Sequence, residues 1–285
     1  MQKLAAFTRL HTLVLHLQSE YNSDIYEGLK YLTTLTQLRN LTFRANLLSL
    51  DATEEFFECM ISLRSLDLQL TQRNGGYKLV VLTSLTSLET LSISAPFLTA
   101  LQFLSHLQKL KYFLVVSPCL DRREFTDVLA LTELTNLAIV TREQPNMFFY
   151  EQISKLKSLQ VLVMETWDWN GDHADKNPLD YICSSLPKLN TLIWNNPQTV
   201  RQIPKEITKL ENLRVLRIRS KAISYEILAQ LPYLEIQSDD ADTYENLKVL
   251  AQRLQEEMKA KSPDITDDEI SKGIAKIRLV EKWTH

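Results

Sequence analysis

A change of leucine spacing within one short run constrains the fold of this chain more than any other feature. In LTSLTSLETLSI, leucine recurs at every third residue from Leu82 to Leu91, and Ile93 follows after a step of only two. A 3₁₀ or helical turn brings residues i and i+3 to one side, whereas a strand does so with i and i+2. The run therefore predicts a short helical stretch that leads into a short strand, with every apolar side chain facing one core.

The same pattern recurs in ten copies along most of the chain. Successive strand anchors lie between 18 residues (Leu216 to Leu234) and 30 residues (Leu162 to Leu192) apart. Tandem copies of about 20–29 residues are typical of a repeat protein, in which each copy packs on its neighbours and the array serves as a binding surface. The ten predicted anchors are Leu13, Leu41, Leu66, Leu91, Phe113, Leu137, Leu162, Leu192, Leu216 and Leu234.

The repeats resemble those of the leucine-rich repeat (LRR) family over residues 4–236. IPKEITKLENLRVLRI, from Ile203 to Ile218, is most similar to the family form IPxxIxxLxxLxxLxL. The family usually has Asn or Cys shortly after the strand, where only Asn46 fits here. The resemblance implies an α/β solenoid shaped as a curved horseshoe, with a parallel sheet on its concave side and short helices on its convex side. The uneven spacing is similar to the LRR regions of NLR-type receptors and bacterial effectors.

The sequence predicts two parts, an LRR solenoid over residues 1–237 and a helical appendage over 238–285. Asp242 and Thr266 begin patterns of the capping-box type, which indicate two helices in the second part. We favour a cap over the last repeat rather than a separate functional module, because solenoids generally need terminal caps. The predicted second helix has an apolar stripe of Ile270, Ile274 and Ile277.

The start of the chain lacks a comparable cap, because Leu4 already belongs to the first repeat. An uncovered terminal strand is an aggregation liability. Two explanations stay open: the first repeat caps itself, or a covalently attached domain lies before Met1. A nucleotide-binding or effector domain would suit the second explanation.

Side chains that alternate with the strand leucines should point outward on the concave side. These side chains are mostly polar in the early repeats and mostly apolar in the middle ones. A contiguous exposed apolar area usually marks an interaction site, although β-branched residues also suit strands for their own sake. Arginine beside such an area is typical of binding hot spots. We therefore expect a protein partner to bind the outward residues Tyr112, Leu114, Val116, Ala138, Val140, Val161, Val163, Glu165, Ile193, Arg217 and Arg219.

A long insertion after the seventh strand is a second candidate site. Trp167 and Trp169 follow the strand at the rim of the concave face, where they either contact a partner or fill a gap beneath the loop. The acidic residues that follow are spaced like the start of an EF-hand. However, His173 stands in place of the required Gly and Leu179 in place of the bidentate Glu, so we predict no metal site.

The sequence disfavours an enzyme. It contains no GxxxxGK(S/T), GxGxxG, HExxH or GxSxG motif, and its five histidines form no recognisable catalytic arrangement. Nucleic-acid binding is disfavoured by the net charge of −3 and the lack of a strongly basic run. We expect a non-enzymatic protein-binding module without a cofactor. The alternative is an LRR sensor or regulatory region of a larger multidomain NTPase, immune-type receptor or effector.

The sequence also bears on location. No apolar run is long enough to cross a bilayer, and the first residues lack the apolar segment of a secretion signal. The three cysteines fall in three different repeats, which favours free thiols in a reducing compartment. We expect a cytoplasmic or otherwise intracellular protein, located inside a host cell if it is a delivered effector. The cysteines are Cys59, Cys119 and Cys183.

Overall fold

A computed structural model describes ten segments of the chain. They are residues 6–17, 28–46, 54–71, 77–120, 127–143, 147–168, 177–195, 203–219, 234–237 and 277–280. The chain divides into two compact units, Met1–Ser158 and Leu159–His285.

The three-residue leucine steps within the turns correspond to backbone hydrogen bonds. Leu85 N–H donates to Leu82 O over 3.1 Å, and Leu88 N–H donates to Leu85 O over 3.0 Å. Such i to i−3 bonds define the 3₁₀ turn, so the predicted helical stretch before a repeat strand is confirmed where the structure describes it. The turn predicted before β13 lies outside the described residues. The 3₁₀ segments include Lys30–Thr34, Val80–Ser84, Gln102–His106 and Lys205–Lys209. Three repeats have short α-helices instead, namely α1 (Glu54–Glu58), α2 (Met147–Ile153) and α3 (Pro178–Ser185).

The first unit contains two parallel sheets. Its strands are β1 (Thr12–Leu17), β2 (Asn40–Ala45), β3 (Ser65–Leu70), β4 (Tyr77–Lys78), β5 (Thr90–Ser94), β6 (Phe97–Ala100), β7 (Tyr112–Ser117), β8 (Cys119–Leu120) and β9 (Asn136–Glu143). The main sheet has the order β1-β2-β3-β5-β7-β9. A smaller sheet, β4-β6-β8, was not expected from the sequence.

The register of the main sheet pairs the predicted anchors with one another. The first row is Leu13, Leu41, Leu66, Leu91, Phe113 and Leu137, and the second is Leu15, Phe43, Leu68, Ile93, Val115 and Ile139. All twelve side chains are at most 7% exposed. A slip of one residue would turn a whole strand's leucines to the opposite face. Burial of these rows therefore sets the register, and the predicted register is confirmed.

One carbonyl at the start of each strand accepts two amide hydrogens from the next repeat. His11 O accepts from Arg39 N and Asn40 N, and Arg39 O accepts from Arg64 N and Ser65 N, all over 2.8–2.9 Å. These backbone groups already have hydrogen-bond partners within the sheet. The hydrogen-bonding groups that remain available at this edge therefore belong to side chains.

The second unit continues the pattern with five further parallel strands. Its strands are β10 (Val161–Asp168), β11 (Thr191–Asn195), β12 (Val215–Arg219), β13 (Leu234–Gln237) and β14 (Ile277–Val280). They pair in that order, and the register aligns the predicted anchors Leu162, Leu192, Leu216 and Leu234.

Strand β14 corrects one prediction about the C-terminal part. The sequence predicts a helix through Ile277 and Arg278, whereas Ile277–Val280 is a strand parallel to β13. The segment IRLV is rich in residues that suit strands, and pairing with it covers a strand edge that would otherwise be open. The rest of the predicted helical cap lies outside the described residues, as does Leu4.

Candidate functional site

The side chains that point away from the core form the open face of each sheet. In the early repeats of the first unit this face is polar and bonded to itself. The Arg44 Nε donates to the Gln69 Oε1 over 2.8 Å, and the Gln69 Nε2 donates to the Asp67 Oδ2 over 2.9 Å. These side chains already satisfy part of one another's hydrogen-bonding capacity.

The open face changes character at β7 and β9. Val116 pairs with Val140, and both are partly exposed. Tyr112 and Leu114 are the other outward residues of β7 and are also partly exposed. Because neighbouring strands lie about 4.8 Å apart, these side chains adjoin. We call Tyr112, Leu114, Val116 and Val140 the first-unit patch. Ala138, also predicted to be outward, is only 9% exposed and adds little surface.

The strands of the second unit carry a comparable group. Val163 pairs with Ile193, and Ile193 pairs with Arg217, so one row of the open face runs from two apolar side chains to a guanidinium. Val161 and Glu165 lie on either side of Val163 on β10, and all five are partly exposed. We call Val161, Val163 and Ile193 the second-unit patch.

The remaining predicted site residues are described only in part. The backbones of Trp167 and Arg219 belong to β10 and β12, but their side chains lie outside the described residues. Trp169 and His173 lie wholly outside them. The roles proposed for these tryptophans and for Arg219 stay predictions.

A groove at the edge of the first unit's main sheet was missed by sequence reasoning. It lies where β2, β3 and β5 begin, has a volume of about 290 Å³, and is lined by residues that include Gln37, Arg39, Ile61, Arg64, Glu89 and Lys109. We call it the rim groove. The sequence contains a pattern that indicates this edge: Arg39, Arg64 and Glu89 each directly follow the last turn leucine of a repeat.

Glu89 organises the charges of the rim groove. Its carboxylate accepts a hydrogen bond from the Lys111 Nζ over 3.1 Å and forms an ion pair with the Arg64 guanidinium over 3.5 Å. The hydrogen bond and the charge of Lys111, followed by Arg64 and Lys109, hold the pKa of Glu89 below its ordinary value of 4.5. Glu89 is therefore ionised at neutral pH.

Cys183, the one buried cysteine of the three, is unsuited to act as a nucleophile. All three are free thiols, as predicted. Cys183 lies on α3 with its side chain in the core, where burial raises the pKa of its thiol far above the ordinary value. A thiol that stays protonated is a poor nucleophile.

The described segments contain neither a metal-binding cluster nor a membrane-spanning helix. Within them, no group of three His, Cys, Asp or Glu side chains comes close enough together to hold a metal ion. No helix of these segments has the length and apolar character needed to span a membrane.

Solved structures share this arrangement of turns and parallel strands. An internalin (inlF) from Listeria monocytogenes aligns with a TM-score of 0.58 at 17% identity, over 100% of this chain and 71% of that chain. An LRR protein from Leptospira interrogans aligns with a TM-score of 0.57 at 17% identity, over 84% of this chain and 57% of that one. TLR13, in its complex with ssRNA13, aligns with a TM-score of 0.54 at 17% identity, over 82% and 37%.

The chain has the leucine-rich repeat fold. The predicted α/β LRR solenoid, with a parallel sheet and short helical turns, is therefore confirmed. No protein-family model matches the chain, and no curated protein does. The likeness concerns the fold alone, and this LRR chain spans little more than half of the Leptospira protein and 37% of TLR13.

Proposed function

We propose that this LRR chain is a non-enzymatic module that binds a protein partner on the open face of its sheets. The observation that carries the proposal is the first-unit patch, in which four apolar side chains are partly exposed on adjacent strands. Contiguous apolar surface of this kind is more often an interaction site than a passive part of a protein.

Strand propensity alone does not account for the patch. If β-branched residues were present only because they suit strands, the open face of the earlier strands should be equally apolar. Instead, Ser92 and Ser94 on β5 pair directly with Leu114 and Val116. On β1 a single valine, Val14, is outward, and it pairs with a threonine on β2. The apolar character is thus concentrated on β7 and β9.

The second-unit patch supports the same function. Val163 and Ile193 of this patch lie in one row with Arg217, which adds a guanidinium beside the apolar surface. The cores of protein interfaces are depleted in most charged residues but enriched in Arg and in aromatic side chains. Tyr112 in the first unit is an aromatic residue of this kind. We propose that both patches contact partner protein.

The test compares two triple variants that add equal charge to outward positions of the sheets. The patch variant carries Val116→Glu, Val140→Glu and Val163→Glu. The matched control carries Thr12→Glu, Thr42→Glu and Ser65→Glu, at outward positions of β1, β2 and β3, which do not pair with any strand of the patches. Proteins captured from native lysate by the wild-type chain are identified by mass spectrometry, and the affinity of each purified partner is then measured by calorimetry.

The patch variant should bind the partner at least about tenfold more weakly than the wild type, because burying one unpaired charge in an interface costs more than 1.4 kcal/mol. The control should bind within about threefold of the wild type, and circular dichroism should show both variants folded. A partner that binds both variants with equal affinity would contradict the proposed surface.

A further inference from the structure

The rim groove is assembled from three consecutive strand starts. Arg39 immediately precedes β2, Arg64 precedes β3 and Glu89 precedes β5. The turns before those strands supply Ile61 and the turn before β7 supplies Lys109. Since the backbone N–H groups of Arg39, Arg64 and Glu89 all donate to carbonyls of the preceding repeat, recognition in the groove depends on side chains.

The edge around the groove is basic over five repeats. In each repeat we define the rim positions as the two residues before the last turn leucine and the one after it. From Thr8 to Lys111 these positions contain five basic residues and a single acidic one, Glu89, although the whole chain has a net charge of −3. All five basic side chains are exposed. They are Arg9, Arg39, Arg64, Lys109 and Lys111.

Glu89 neutralises only part of this charge. It is bonded to Lys111 and Arg64, whereas Arg39 and Lys109 form no ion pair with any residue that the structure describes. The groove thus presents two cations that form no ion pair with a described residue, beside a third, Arg64, whose planar guanidinium can hold a second carboxylate. An anionic ligand is the chemical complement of this arrangement.

The groove also contains an apolar contact. Ile61 lines it and is 61% exposed. Among the described residues that line the groove, none is aromatic, so it lacks the stacking platform that single-stranded nucleic acids use. A volume of about 290 Å³ accommodates a few side chains of a peptide.

We infer that the rim groove binds an acidic segment of a protein, with carboxylates on Arg39, Arg64 and Lys109 and an apolar side chain on Ile61. This second binding surface is distinct from the two patches on the open face. It would act through charge and through a short linear segment, whereas the patches present apolar surface.

The test uses fluorescence anisotropy with a labelled synthetic peptide that alternates Glu and Leu, and the full-length chain. The rim variant carries Arg39→Glu and Lys109→Glu. The matched control carries Lys188→Glu and Lys205→Glu, two exposed lysines of the second unit, so that both variants change the net charge equally. A peptide that alternates Gln and Leu controls for apolar binding, and the thermal midpoint of each variant controls for folding.

The Glu-Leu peptide should bind the wild type saturably, and the affinity should fall as ionic strength rises because salt screens exposed charges. The affinity of the rim variant for the Glu-Leu peptide should be lower by about tenfold or more, and that of the control should lie within about threefold of the wild type. Ile61→Asn should lower the affinity to a smaller extent. The patch variant should bind this peptide as the wild type does, which separates this inference from the proposed function.

Four outcomes would overturn the inference. One is no saturable binding of the Glu-Leu peptide, and another is equal binding of the Gln-Leu peptide. Equal losses in the rim variant and the control would show that only net charge attracts the peptide. The last outcome concerns oligothymidylate. If it displaced the peptide, bound the wild type more tightly than the peptide does and bound the rim variant weakly, the groove would be assigned to nucleic acid.

Discussion

Three phenylalanines in the core of the first unit show how single residues stabilise this solenoid. Phe43 on β2 contacts Phe56 and Phe57 on α1, with ring centroids 6.1 and 5.6 Å apart, and the two α1 rings are 5.3 Å apart. All three are essentially buried. The leucine pattern predicts Phe43 and Phe57 as core residues, but it does not predict Phe56, which lies outside the three-residue step.

Removal of the Phe43 ring should therefore be costly. Phe43→Ala leaves a cavity between β2 and α1, and it should lower the free energy of unfolding by about 3–5 kcal/mol, as measured by urea denaturation. Phe148→Ala is the matched control, since Phe148 is 48% exposed, and it should change the free energy by less than about 0.5 kcal/mol. Equal effects of the two substitutions would contradict the packing described for Phe43.

Glu89 provides a second prediction about a single residue. Because Lys111 donates to its carboxylate and stabilises the charged form, the pKa of Glu89 lies below 4.5. Lys111→Met should raise that pKa towards 4.5, as followed by NMR titration of the Glu89 carboxyl carbon. Lys155→Met, which removes a lysine bonded to Gln152 instead, should leave it unchanged. A pKa that does not respond to Lys111→Met would show that the hydrogen bond is not the main cause.

At the scale of elements, spacing predicted the turns and strands of the main repeat but not the accessory strands. The main strands carry alternating buried leucines, which give a strong period of two. Strands β4 and β8 have only two residues each, too short for any period to be read. Strand β14 was predicted as a helix, because Ile270, Ile274 and Ile277 fit a helical spacing that pairing with β13 overrides.

Helix α3 shows a local conflict between charge and burial. The Asn177 side chain accepts a hydrogen bond from Leu179 N–H over 3.1 Å, which caps the helix, and Asp180 lies in the first turn. An acidic residue there usually stabilises a helix. Here burial, followed by the nearby charge of Glu206, raises the pKa of Asp180 above 3.8. The charged form of Asp180 is therefore disfavoured in the folded chain.

This shift has a definite sign in the pH dependence of stability. When the folded state raises the pKa of an acid, stability decreases as the pH rises from the ordinary value of 3.8 through the folded pKa, because ionisation is easier in the unfolded chain. Asp180→Asn should remove this decrease, so the difference in thermal midpoint between variant and wild type should grow over that interval. Glu206→Gln should produce part of the effect. A difference that is constant with pH would contradict the shift.

At the scale of the whole molecule, the repeats are joined by bonds between immediate neighbours. Carbonyls of one repeat accept amide hydrogens from the next, and the sheet pairs each strand with those beside it. In such an array the stability of each repeat depends mainly on itself and its neighbours.

A core substitution should therefore act locally. Phe43→Ala should accelerate amide hydrogen exchange in β1, β2 and β3 and leave β11, six repeats further along the chain, close to the wild-type rate under native conditions. Hydrogen exchange with mass spectrometry resolves these strands. The exposed substitution Phe148→Ala again serves as the control. A uniform acceleration along the whole chain would indicate one global unfolding unit instead.

The amino-acid order alone predicts the LRR repeat and the register of the strands. It also predicts the outward positions of Tyr112, Leu114, Val116 and Val140. It could do so because burial imposes one periodicity on every repeat, and a slip by one residue would expose a row of leucines. The partly exposed state of the first-unit patch, and the nearly buried state of Ala138, required the packed strands.

The rim groove forms only when the repeats pack against one another. Arg39 and Arg64 stand directly after the last turn leucine of successive repeats, whereas Lys109 stands directly before that leucine two repeats further on. The leucine pattern does not show that the three side chains line one groove. Arg39, Arg64 and Lys109 come together because the turns place equivalent positions of successive repeats side by side. Glu89, which also lines the groove, is bonded to Lys111 and to Arg64. Which polar side chains meet depends on which repeats become neighbours and on the length of each turn. The leucine pattern does not reveal these contacts.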